Sequence, residues 1–127
     1  NQVKERIEKF DFVSWKKLPD LIAKVDINLM PLEDSFFHAC KSENKWMEAA
    51  LVKVPTIASS NSELTSAIED GKTGYLCKDL NEWEWKLKKL VENKELRTQM
   101  ALEAHKKVIK DYTTYNIEQG VIDLLLK

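Results

Sequence analysis

Lys41-Ser42-Glu43-Asn44-Lys45-Trp46-Met47-Glu48-Ala49-Ala50-Leu51, followed by Val54-Pro55-Thr56-Ile57-Ala58-Ser59 and Asp70-Gly71-Lys72-Thr73-Gly74-Tyr75-Leu76, is the run whose reading decides the fold. It reads as a polar loop, a short helix, a buried strand, a second short helix and a glycine-containing turn, the series from which doubly wound α/β sheets are built. On a helix over 43–52, Met47, Ala50 and Leu51 fall at i, i+3 and i+4 and form an apolar stripe expected to face a sheet. Lys45, Glu48 and Val52 lie on the neighbouring strip, so Lys45 and Glu48 project from one side. Val54–Ala58 is a short apolar run of the kind found in buried parallel strands. Ser59-Ser60-Asn61-Ser62 supplies caps for a helix over 63–69, Asp70-Gly71 and Thr73-Gly74 mark a turn, and Tyr75-Leu76-Cys77 is the next strand.

Upstream, Phe10-Asp11-Phe12 alternates and supports a short strand. Leu18, Leu21 and Ile22 recur at helical spacing, with Pro19 in the first turn where its missing N–H costs nothing, so a helix is expected to about Lys24. Val25–Met30 alternates and stops at Pro31, which cannot donate to a ladder; a loop over 31–42 follows. Downstream, Asp79-Leu80-Asn81-Glu82 is a capping box, and Leu80, Trp83, Leu87, Leu90 and Val91 trace the apolar face of the helix it opens. Asn93 caps another helix, in which Leu96, Met100, Ala104 and Val108 recur every four residues, and an amphipathic segment runs from Ile117 to about Leu126. Strands alternating with helices imply a parallel sheet with helices on both faces.

A chain of 127 residues, 43% hydrophobic, fits one domain over 1–127. Twenty basic against 21 acidic residues leave a net charge of -1, which provides no basic field for nucleic acid. Val121-Ile122-Asp123-Leu124-Leu125-Leu126 is far shorter than the ~20 apolar residues that cross a bilayer. Cys40 and Cys77 lack the spacing of a disulfide framework or a zinc site, so no metal is expected and a reducing cytoplasm fits best. The opening at Asn1 without Met reads as a cut or processed product.

In open parallel sheets, ligands bind outside the carboxyl ends of the strands, where helix N-termini present free amides to phosphate. The loop 38–44 has that place in the sequence. Lys41, Lys45, the Ser42 hydroxyl and the amides opening the helix suit a pyrophosphate, and Glu48, about one turn on, suits ribose hydroxyls. The rival reading of Lys45 and Glu48 is a solvated i,i+3 surface pair. His38 is a candidate contact to a sugar, against the plainer reading of a surface or packing histidine. His105, in a Lys-rich helix face, reads as solvated. Phe36 and Phe37 are candidates to flank a base or sugar, against the plainer reading of core aromatics; Trp46 and Trp83 read as packing residues, and Trp85 as partly exposed. The runs Lys86-Lys88-Lys89 and Lys106-Lys107-Lys110 read as solvated faces, with contact to an anionic membrane as the alternative.

At this point the sequence resembles the C-terminal, nucleotide-sugar-binding half of the GT-B glycosyltransferases, especially the retaining family 4 (group 1) enzymes. The likeness rests on Leu18-Pro19 through Asp26-Ile27 to Pro31, on Lys45-x-x-Glu48-Ala49 with Pro55 after the helix, and on Ala58-Ser59, Ile68-x-Asp70-Gly71-x-Thr73-Gly74 and Tyr112-Thr113, in that order. It implies a Rossmann-like α/β half-domain, here partial, that binds a nucleotide diphosphate-sugar and belongs to an enzyme transferring the sugar with retention. The acceptor would be a carbohydrate or a lipid-linked molecule, as in cell-envelope polysaccharide synthesis, with no dedicated metal or cofactor. The resemblance gives Glu48 to the ribose and the preceding loop and helix start, with Ser42, Glu43, Asn44 and His38, to the diphosphate and sugar. Lys41 and Lys45 would stabilise the leaving diphosphate by charge. The acceptor domain of such an enzyme is absent, so the chain alone is expected not to turn over.

The sequence also departs from that pattern. Cys40 stands where a second glutamate is usual, with Glu43 as the substitute carboxylate; Lys53 stands where a glycine ends the helix; and Ser62 and Glu63 stand where glycines follow the Ala-Ser strand. Two other functions fit the residues: a non-enzymatic α/β regulatory or interaction domain, and a sugar-nucleotide epimerase of the same fold.

Overall fold

A computed structural model describes residues 2–33, 43–114 and 119–127. The centre is a parallel sheet of β1 (Asn28–Met30), β2 (Thr56–Ser59) and β3 (Tyr75–Cys77), in the order β1-β2-β3. Leu29 lies opposite Ile57, and Ile57 opposite Tyr75. Around it run α1 (Leu18–Ile22), α2 (Asn44–Leu51), α3 (Ser62–Ala67), α4 (Leu80–Glu92), α5 (Lys94–Asp111) and α6 (Gln119–Leu125). The expected α/β architecture, a parallel sheet with helices on both faces, is the one observed.

The period-2 pattern of the strands divides the core in two. Met30, Ala58 and Leu76 point to one face and pack with Trp46 and Ala50 of α2, Leu64 and Ala67 of α3, and Ala104 and Val108 of α5. Ile57, Tyr75 and Cys77 point to the other and meet Leu90 of α4 and Met100 of α5. The 18-residue α5 therefore serves both layers, its first half against α4 and its second against α2. Capping follows the sequence: Asp79 accepts from the Glu82 N–H at 2.9 Å, Asn93 from Leu96 at 2.9 Å and Asn61 from Leu64 at 2.8 Å. Each such cap is worth about 1 kcal/mol.

Helix α2 ends in a Schellman motif, with Val54 N–H on the Ala49 carbonyl at 2.9 Å and Lys53 N–H on Ala50 at 3.1 Å. Lys53 takes the left-handed position at φ 59, where the sequence lacks the usual glycine. Gly71, at φ 83, turns the chain between α3 and β3, and its N–H is closed by the Gly74 carbonyl at 2.8 Å.

Four expectations are corrected. Residues 10–12 form no strand, and Phe12 is 98% exposed, because no neighbour among the described residues pairs with that backbone. The first strand starts at Asn28 because Val25 is still held in the turn after α1, its N–H on the Ile22 carbonyl. The buried stripe of α2 is Trp46, Ala49 and Ala50 rather than Met47, Ala50 and Leu51; Leu51 is 46% exposed because the large indole takes the interior face. His105 is half-buried, its Nδ1 3.0 Å from the Ala50 carbonyl, so it joins α5 to the end of α2 instead of lying in solvent.

Candidate functional site

Two neighbouring features carry the chemistry. The first is the opening of α2. The β1-α2-β2 connection is parallel, and the Schellman turn delivers the end of α2 to the start of β2. Its first turn is therefore carried back toward the carboxyl-end side of the sheet. Glu43 is the N-cap residue, and its side chain makes no cap bond to the first-turn amides. Lys45 and Glu48 are both exposed, and among the described residues neither side chain forms an ion pair, with the other or elsewhere. Asn44 is exposed and Glu43 half-buried. Lys41, Ser42 and His38, with Cys40, Phe36 and Phe37, lie outside the described residues.

Behind this turn the packing is fixed. The Trp46 indole is fully buried and donates from Nε1 to the Thr73 carbonyl at 2.9 Å. Thr73 is buried too, its hydroxyl accepting from the Glu69 N–H at 2.9 Å. A side chain at Gly74 would meet Ile68 Cγ2 at 2.9 Å and the Thr56 carbonyl at 3.1 Å, with the Trp46 nitrogen 3.7 Å away, so glycine is needed there for close approach. Asn28 Nδ2 donates to the Thr56 hydroxyl at 3.0 Å and reaches the Lys45 carbonyl at 3.5 Å, which sets α2 low over the strands. Tyr112, at the end of α5, stacks edge-on against Trp46 with ring centroids 5.9 Å apart. Burial first, then the Glu43 and Asp111 charges, hold the phenol above its ordinary pKa.

The second feature is a cleft of about 330 Å³ at the carboxyl ends of the strands. Glu33, Ser60, Asn61, Asp79, Leu80 and Trp83 are among its walls. Among the described residues that line it, none belongs to α2. Its polar groups are partly committed: Ser59 Oγ accepts from Leu32 N–H at 2.9 Å, and Asp79 caps α4. The Cys77 thiol beside it is buried, and burial pushes it up to about 11 from 9.0, so it is no nucleophile at neutral pH. Among the described residues no group of His, Cys, Asp and Glu is arranged to hold a metal ion.

Lys86 overturns its reading as part of a solvated or membrane-facing run. It is 5% exposed, with Nζ 3.1 Å from Asp70 Oδ2, 3.4 Å from Glu82 Oε2 and bonded to the Leu76 carbonyl. Burial lowers its pKa, and the Asp70 and Glu82 carboxylates more than reverse that, leaving it above the ordinary lysine value. Lys88 and Lys89 remain exposed, and Trp85 is 50% exposed, as expected. No helix among the described residues is long and apolar enough to cross a membrane. The sequence did not show the burial of Lys86, since its partners Asp70 and Leu76 lie on other elements; Tyr112 was visible only in the Tyr112-Thr113 pair of the resemblance.

Comparison with known proteins places this geometry. A search of curated proteins gives no match. Among solved structures, the chain is similar to Anabaena Alr3699/HepE, crystallised in complex with UDP and glucose, with a TM-score of 0.69 and 18% identity over 85% of this chain and 29% of that one. It is also similar to the C-terminal domain of the glycosyl transferase group 1 family protein LpcC from Francisella tularensis, with a TM-score of 0.63 and 22% identity over 83% of this chain and 53% of that one. At those identities the two structures establish a shared GT-B glycosyltransferase fold, and the chain spans only part of either. The model of the family described as "Glycosyl transferases group 1" matches residues 1–93, and with the fold just described this makes the chain a member of the group 1 glycosyl transferases.

Proposed function

We propose that the chain is the donor-binding part of an enzyme that transfers a sugar from a nucleotide diphosphate-sugar to a carbohydrate or lipid-linked acceptor, with retention of configuration. The observation that carries the reading is that Lys45 and Glu48 are exposed side by side on the opening of α2 without bonding each other, which counts against the plain surface pair. In this reading the amides that begin α2 and the Lys45 ammonium take the diphosphate, and Lys45, with Lys41, offsets the charge that develops on it as the sugar leaves. Glu48 accepts from the ribose hydroxyls. The family, and the bound UDP and glucose of the Anabaena structure, support a nucleotide-sugar as the ligand class.

The test is isothermal titration with UDP, GDP and their glucose and mannose conjugates. One nucleotide is expected to bind saturably, and Glu48→Ala to weaken it at least tenfold, the loss of about 1.4 kcal/mol of charged hydrogen bonding. Equal binding by wild type and Glu48→Ala would remove Glu48 from the site.

A further inference from the structure

We propose that Trp46 is a positioning residue: the bond from its indole to the Thr73 carbonyl fixes the rotation of α2 about its own axis, and so sets the direction in which Lys45 and Glu48 meet a nucleotide. The inference rests on the reading of Lys45 and Glu48 as donor ligands. Its basis is that the sequence of α2 fits two rotations. Met47, Ala50 and Leu51 form one apolar stripe, and Trp46, Ala49 and Ala50 form another, turned from the first by about 100° of helix. The rotation observed buries Trp46, Ala49 and Ala50 completely and leaves Leu51 exposed. Either stripe leaves Lys45 and Glu48 on the outside, but side chains end about 5 Å from a helix axis, so a turn of that size moves them by several ångströms. That is more than a hydrogen bond tolerates.

The preference for the observed rotation is polar. The Trp46 indole is fully buried and its Nε1 donates to the Thr73 carbonyl at 2.9 Å. A buried N–H without an acceptor is costly, so the rotation that pairs it is favoured. The acceptor is itself held, because the Thr73 hydroxyl takes the Glu69 N–H at 2.9 Å and the Gly71 N–H closes the same turn on the Gly74 carbonyl at 2.8 Å. From the end of α5 the Tyr112 ring meets the indole edge-on, at 74° between planes. A longer contact reaches the helix at Lys45 itself: Asn28 Nδ2, bonded to the Thr56 hydroxyl, lies 3.5 Å from the Lys45 carbonyl. The indole thus faces the interior and acts through the helix that carries the two exposed residues.

The test pairs UDP titrations with a ligand-free measurement. Trp46→Phe keeps an aromatic ring inside and removes the donor, and UDP affinity should fall about tenfold. Leu90→Ala, in the other core layer, should lower the melting temperature at least as far and leave UDP affinity within about twofold of wild type. Leu51→Lys, at an exposed position, should be silent alone. In Trp46→Phe it puts a charge on the competing stripe, opposes that rotation and should restore most of the lost affinity, a rescue that a merely structural role of the indole would not produce. Without ligand, the Leu51 methyl groups should become shielded from a soluble paramagnetic agent in Trp46→Phe. Should Trp46→Phe not fold, Trp46→benzothienylalanine, which keeps the bicyclic ring and loses only the N–H, carries the same test. Unchanged affinity on loss of the donor, an equal loss in Leu90→Ala, or no rescue by Leu51→Lys would overturn the proposal. Leu51 methyl groups as accessible as in wild type would overturn the rotation itself, whatever binds. If wild type bound no UDP while those methyl groups became shielded as expected, the donor-site reading would fall, and with it the ligand role of Trp46.

Discussion

Lys53 sits at φ 59 because the Schellman turn that ends α2 needs a left-handed residue between Ala50 and Val54, and the side chain there is held against its steric preference. Lys53→Gly is therefore expected to stabilise the fold by about 1 kcal/mol, read as a higher urea midpoint with unchanged slope. Gly74 is the opposite case. A methyl group there meets Ile68 and the Thr56 carbonyl inside normal contact distance, so Gly74→Ala should cost about 1–3 kcal/mol and shift the fluorescence of the adjacent Trp46. The need for a left-handed residue at Lys53 was legible through the resemblance, whose pattern ends this helix with a glycine. The tight approach at Gly74 was not, since it depends on where Ile68 and the Thr56 carbonyl of β2 come to rest. Cys77 supplies a pH dependence. Its folded pKa is raised by burial from 9.0 to about 11, so the stability it contributes is complete below pH 9 and is lost as pH rises to about 11. Lys86, also raised, works in the same alkaline direction. Urea midpoints at pH 8 to 11 should fall steeply in wild type and less so in Cys77→Ala.

At the scale of elements, α4 is fastened to the β3 turn by a buried cation. Lys86 reaches Asp70, whose Oδ1 also accepts from the Leu76 N–H at 2.8 Å. Removing the acid leaves the cation and an amide short of a partner, whereas removing the cation leaves a carboxylate that is 47% exposed and can hydrate. Asp70→Ala should accordingly cost more than Lys86→Met, by about 1–2 kcal/mol in thermal unfolding. The helices themselves were readable because their caps and periods are local: Asp79, Asn93 and Asn61 all cap as their sequence context implies. What failed was rotation about an axis. In α2 the spacing of Met47, Ala50 and Leu51 fitted a stripe as well as that of Trp46, Ala49 and Ala50 did, and the choice was made by the indole bond to Thr73 across the sheet. Phe10 and Phe12 alternate like a strand, but a strand exists only with a partner.

For the whole molecule, the chain belongs to the group 1 glycosyl transferases and is built on a three-stranded parallel sheet, and the proposed site lies on the side to which the strands point. The motif Lys45-x-x-Glu48 was legible as chemistry because one helical turn puts both residues on one strip. The strand-end cleft was not legible in this way, because its described walls come from the segments after β1, β2 and β3, which only the fold brings together. The central claim, that the opening of α2 is the donor site, is tested most directly by mapping 15N amide shifts during titration with UDP-glucose. The account predicts saturable shifts concentrated at Glu43 to Glu48. Saturable shifts confined to the cleft of Ser60, Asn61, Asp79 and Trp83, with the first turn of α2 unmoved, would contradict it.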